Sequence, residues 1–142
     1  MSEAVVAAAR RWLGTPYRHQ ASVLGAGCDC LGLIRGVWRE VVGAEPIAVP
    51  PYRASMRDPA HVDGLRVAAD RLLVQADGPL QAGQVVLFRL DGMSEPRHCG
   101  IAISAERFIH AQEGLGVVEA NLGGWGKRVW GRYWFPVRDP VR

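Results

Sequence analysis

The 142-residue chain changes character at Ala76-Asp77-Gly78-Pro79. Before that point, apolar residues recur at helical spacing. After it, short β-rich runs alternate with turn residues. Helices gathered in the first half and strands in the second suggest an α+β domain, with helices packed on one antiparallel sheet.

The periodicity predicts a first helix over residues 3–13, with Val5, Val6, Ala9, Trp12 and Leu13 on its apolar face. Gly14-Thr15-Pro16 stops it. Residues 15–29 read as a loop with Gly25 and Gly27 near its end. A second helix starts at Asp29 or Cys30 and runs to about Val42. Its apolar positions are Leu31, Leu33, Ile34, Val37, Trp38, Val41 and Val42, and Gly43 stands at C′. Residues 44–57, with Pro46, Pro50 and Pro51, form an extended connector. A third helix is expected from a cap at Ser55 or Asp58, with Pro59 at N1, to about Gln75. Val62, Leu65, Ala68, Ala69, Leu72 and Leu73 would face inward. Strands are expected over 84–90, 98–103, 107–111, 116–120 and 129–138.

The length fits one domain, residues 1–142, large enough to hold a core. Apolar residues make up 49% and charged residues 22%, as in ordinary globular proteins. No apolar run is long enough to span a membrane. Met1-Ser2-Glu3-Ala4-Val5-Val6 lacks the basic and apolar regions of a Sec signal peptide, so the expectation is synthesis in the cytoplasm. The net charge of +3 is spread along the chain rather than gathered in a patch, which disfavours nucleic acid as a partner. A basic face would equally suit approach to an anionic polymer such as a cell wall.

The three cysteines, Cys28, Cys30 and Cys99, are an odd number and do not make a complete disulfide framework. Their spacing also matches structural zinc patterns poorly. Gly27-Cys28-Asp29-Cys30-Leu31-Gly32-Leu33-Ile34 is the segment richest in chemistry. It sets Cys30 at a helix N-terminus, where unpaired N–H groups and the macrodipole favour a thiolate. The same N–H groups suit an oxyanion. Asp29 is suited to capping the helix, and Gly32 keeps the first turn slim enough for a substrate chain to pass. From this segment alone, a small buried cysteine fits as well as a nucleophile.

A thiolate nucleophile needs a base, usually histidine. His98 opens one strand candidate and His110 ends another. If those strands are hairpin neighbours, one imidazole reaches Cys30 and the other orients it. Each histidine by itself more commonly fills a structural role, and His19 and His61 are read that way.

The residues then match a family. Ala8-Ala9-Arg10-Arg11-Trp12-Leu13-Gly14-Thr15-Pro16-Tyr17 resembles the first helix and G-x-P-Y turn of the NlpC/P60 family of papain-like cell-wall peptidases. Asp29-Cys30-Leu31-Gly32-Leu33 resembles its D-C-S-G-L motif. Leu80-Gln81-Ala82-Gly83-Gln84-Val85-Val86-Leu87-Phe88 resembles its L-x-x-G-D-L-V-x-F strand. His98-Cys99-Gly100-Ile101-Ala102-Ile103 and Arg107-Phe108-Ile109-His110-Ala111 resemble the two histidine-bearing strands. Five motifs in one order cover nearly the whole chain.

The resemblance implies a papain-like NlpC/P60 fold and a catalytic Cys30–His98–His110 triad. It implies that Tyr17, Asp29 and Leu31 line the substrate or oxyanion site, although a packed aromatic fits Tyr17 as well. The implied substrate is the peptidoglycan stem peptide, cut at the bond from the γ-carboxyl of D-glutamate to a diamino acid, with no metal or organic cofactor. An amidase, an acyltransferase or a non-catalytic tail-tip domain would keep the same site. Leu31 stands where the family has Ser, and Gln84 where it has Asp. A catalytic domain with no wall-binding repeat resembles versions carried by phage tails and gene transfer particles, so tail proteins are an expected partner.

Overall fold

The computed structural model describes residues 2–46 and 63–136. Helix α1 (Ser2–Arg11) leads into a small hairpin, β1 (Ser22–Val23) and β2 (Gly27–Cys28), and then into helix α2 (Cys30–Val41). Helix α3 (Gly64–Leu72) precedes the strands β3 (Val74–Gln75), β4 (Val85–Arg89), β5 (Pro96–Ala102), β6 (Arg107–Gln112), β7 (Gly116–Asn121) and β8 (Val129–Trp134). These six strands form one antiparallel sheet in the order β3-β8-β4-β5-β6-β7. The architecture is α+β, as expected.

Alternation along the strands gives the sheet two apolar sides. One side, with Val85, Leu87, Cys99, Ile101, Ile109 and Ala111, packs against Val5, Ala8, Ala9 and Trp12 of the α1 region and Leu33, Ile34 and Val37 of α2. The other gathers Val86, Phe88, Ala102, Phe108 and Leu122. The two helices meet closely because position 36 is glycine: a Cβ there would collide with the Trp12 indole. No described helix is long and apolar enough to cross a membrane.

The differences from expectation are local. Helix α1 ends at Arg11, so Trp12 is buried while Leu13 is exposed. The loop over 15–29 contains the β1–β2 hairpin, whose two-residue strands are too short to carry a period. The expected third helix does not reach Gln75. Leu73 is extended, and Val74 and Gln75 pair with Trp134 and Tyr133, so cross-strand pairing overrides the helical pattern there. Its expected start at Ser55, Asp58 or Pro59, and Val62, lie outside the described residues, as does His61.

Candidate active site

Cys30 is the first residue of α2, and local chemistry sets it there. Asp29 is extended and N-caps the helix, its Oδ1 accepting from the Gly32 amide at 2.7 Å. Its Oδ2 accepts from the Gln20 amide at 2.7 Å, with His19 Nδ1 3.8 Å away. The Asp29 carbonyl takes the Leu33 amide. Asp29 is buried, and its carboxylate ties the preceding loop to the helix start. Gly32 has a different use from the one expected. A Cβ there would strike the Ala21 carbonyl oxygen, and Ser22 Oγ donates to the Gly32 carbonyl at 2.6 Å. The chain's own loop, not a substrate, makes the close approach.

The histidines come from adjacent strands. His98 Nε2 and His110 Nδ1 are 2.7 Å apart, and His110 is fully buried. In the β4–β5 register, Phe88 pairs with His98 and Arg89 with Pro96, so Arg97 is an extra residue. Such a bulge bends a strand and re-aims its side chains, here immediately before His98. Gly100 lies between the histidine positions and keeps the space beside His110 open.

These elements converge on the Cys30 sulfur. Its pKa is held well below the ordinary thiol value, first by a hydrogen bond from the Cys99 thiol. Burial opposes this, a hydrogen bond from His98 and its positive charge favour the thiolate, and the charge of Asp29 disfavours it. The residue itself remains partly exposed. The other two thiols move the other way. Cys99 is raised by its role as partner to Cys30 and by burial, and Cys28 is pushed up to about 12, mainly by burial. Burial, and then the positive charge of His98, bring His110 down to about 4, so it is neutral near pH 7.

Tyr17 joins the site through the backbone. It bridges to Cys28, while Arg18 N donates to the Cys28 carbonyl and Cys28 N to the Pro16 carbonyl. Its half-buried phenol is raised in pKa by burial and next by the charge of Cys30. Leu31 is half-buried beside Cys30 in the first turn. Gln84 is buried, and its Oε1 accepts from the Gln81 amide at 2.9 Å. Among the described residues no group of three or more metal-ligating side chains occurs.

Two participants were not read from the sequence. Cys99 directly follows His98, and since neighbours on a strand point to opposite sides the sequence pattern gives it no role. Trp125 lies between two 3-10 turns (Leu122–Gly124 and Gly126–Arg128), with its ring centroid 5.6 Å from His98 and 5.2 Å from His110. A lone tryptophan among glycines carries no period to reveal this.

Known proteins share this arrangement of elements. The model of the NlpC/P60 family matches residues 14–133. The "Probable endopeptidase NlpC" of Escherichia coli K12 is 27% identical over 121 residues, covering 84% of this chain and 68% of that protein. The NlpC/p60 domain of the peptidoglycan hydrolase SagA superposes with a TM-score of 0.57 at 25% identity, covering 86% of this chain and 90% of that one. An NlpC/P60 family protein from Bacillus cereus gives a TM-score of 0.69 at 21% identity; the match covers 95% of this chain but 40% of that one.

Proposed function

The chain belongs to the NlpC/P60 family, and from that premise we propose that it is a cysteine endopeptidase cutting the peptidoglycan stem peptide through an acyl-enzyme on Cys30. The bond proposed is the one from the γ-carboxyl of D-glutamate to a diamino acid. The observation that carries this reading is the convergence of a thiol of lowered pKa, at a helix N-terminus, with a hydrogen-bonded histidine pair.

In the proposed cycle His98 takes the Cys30 proton, and the thiolate attacks the substrate carbonyl. A protonated His98 carries N–H on both ring nitrogens, so its Nε2–H must donate to His110. The neutral His110 accepts that bond through Nδ1. The Nδ1 face of His98 then serves the sulfur. Asp29 engages the Gly32 and Leu33 amides, so the Cys30 and Leu31 amides are the first-turn donors for the oxyanion. Such a donor contributes about 3–4 kcal/mol in other enzymes. His98 next protonates the leaving amine, and water hydrolyses the thioester. With Leu31 where the family has Ser, an apolar side chain meets the substrate beside the nucleophile.

Incubation with defined muropeptides, followed by product masses, tests this reading. The parent should release fragments cut within the stem peptide, and folded Cys30→Ala should release none. An Ala variant as fast as the parent would sink the assignment, and products separated between sugar and peptide would make the enzyme an amidase.

A further inference from the structure

The side of the sheet that carries Val86, Phe88 and Phe108 holds an aromatic box around the histidine pair. Phe88 lies 5.8 Å from His98, ring centroid to ring centroid, and Phe108 lies 4.5 Å from His110. Trp125 closes the group. Its ring is tilted 30° to that of His98 and stands at 79° to that of His110, and its centroid is 5.3 Å from Phe88 and 5.8 Å from Phe108. No other residue in these ring contacts touches both imidazoles and both phenyl rings.

The connection that presents Trp125 is itself fixed. The Leu122 amide donates to the Glu106 carbonyl at 2.8 Å, and the Leu122 side chain is buried with Phe88 and Phe108. Asn121 Oδ1 accepts from Gly123 N at 2.7 Å, and Trp125 N donates to the Leu122 carbonyl at 2.9 Å. On the solvent side the Arg128 guanidinium lies 5.4 Å from the indole centroid and pairs with Asp91 at 3.1 Å. The β7–β8 connection is thereby tied to the β4–β5 connection across the histidines.

We propose that Trp125 is a positioning residue for the reaction: it holds the ring plane of His98 and keeps water from the His98–His110 hydrogen bond. The proposal rests on the peptidase reading for its kinetic consequence, but not for its structural one. A hydrogen bond between two imidazoles is strongest where water cannot compete for either nitrogen. A base must also meet its sulfur in one orientation, and a small misplacement is costly. An indole tilted against one ring and standing edge-on to the other meets both needs. Trp125 makes no step of the chemistry itself.

The test compares Trp125→Ala, Trp125→Leu and Trp125→Phe with the parent by proton NMR in water and by muropeptide kinetics. The parent should show a low-field imidazole N–H resonance, protected from exchange, that is lost on His110 substitution. Trp125→Ala and Trp125→Leu should lose that resonance, with kcat down about 100-fold and KM little changed. Trp125→Phe should restore both. A folded Leu variant that keeps the protected resonance and the parental kcat overturns the proposal, whether or not the Ala variant folds. The resonance is read without turnover, so a parent inactive on muropeptides would sink the peptidase reading and leave the shielding role tested on its own.

Discussion

Gly100 lies so close to His110 that a Cβ on it would come within 3.1 Å of the His110 Cβ and 2.9 Å of the Ile109 carbonyl oxygen. His98 is two residues earlier on β5, so this gap gives its ring room to lean toward the neighbouring strand. Such diagonal pairs are within reach of long or aromatic side chains. Gly100→Ala forces a backbone oxygen to move and spreads β5 from β6. The expected result is a loss of about 1–3 kcal/mol in stability, as for other overpacked cores. The His98–His110 bond should weaken with it. Urea denaturation and the exchange-protected imidazole resonance check the two effects separately.

The three thiols should separate cleanly in alkylation. Cys30 has its pKa lowered, whereas Cys28 and Cys99 are buried with theirs raised. Iodoacetamide at neutral pH should therefore modify Cys30 alone in the folded protein. Because the Cys99 thiol is the largest cause of the shift, Cys99→Val should move the midpoint of the alkylation pH profile upward. Cys99→Ser, which keeps a donor, should move it less. A Val variant with the parental midpoint would show that His98 and the helix terminus suffice.

Acid should destabilise the fold through His110. Its folded pKa of about 4 is below the ordinary value of 6.5, so between those values the unfolded chain binds more protons than the native one. The stabilising contribution of the neutral ring is fully present above about pH 6.5. It declines as the pH falls through that window toward about 4. Denaturation midpoints measured across this range should fall on acidification, and His110→Asn should flatten that part of the profile. An unchanged slope in the Asn variant would assign the acid sensitivity to other groups.

Asp29 serves the fold and opposes the thiolate, so two substitutions divide its roles. Asp29→Ala removes acceptors for the Gly32 and Gln20 amides and should cost about 1–3 kcal/mol. Asp29→Asn keeps a capping oxygen and removes the negative charge that raises the Cys30 pKa. The Asn variant should retain most of the stability while its alkylation profile shifts to lower pH. Thermal melts and the rate of Cys30 labelling against pH measure the pair.

What was legible in the sequence was local. The start of α2 could be read because Asp29 caps it three residues before Gly32, and its end because Gly43 follows the last apolar turn. Strands β4 to β8 could be placed because short β-rich runs sit between turn residues, and the neighbouring histidine strands made His98 and His110 candidates together. Val74 and Gln75 extend a helical pattern in sequence, and only their pairing with β8 decides against it. Gly32 reads as room for a substrate because nothing nearby in sequence announces that the Ala21 carbonyl fills its space.

The amino-acid order alone determined the class of fold, the capped helix that carries Cys30 and the two strands that carry the imidazoles, because these follow from periods and caps spanning a few residues. Tertiary structure alone decided that Cys99 is the thiol beside Cys30, that a bulge at Arg97 precedes His98, and that Trp125 packs against both histidine rings. The first and last are contacts between segments far apart in the chain and the second is a matter of strand register, and neither packing nor register leaves a periodic trace in sequence.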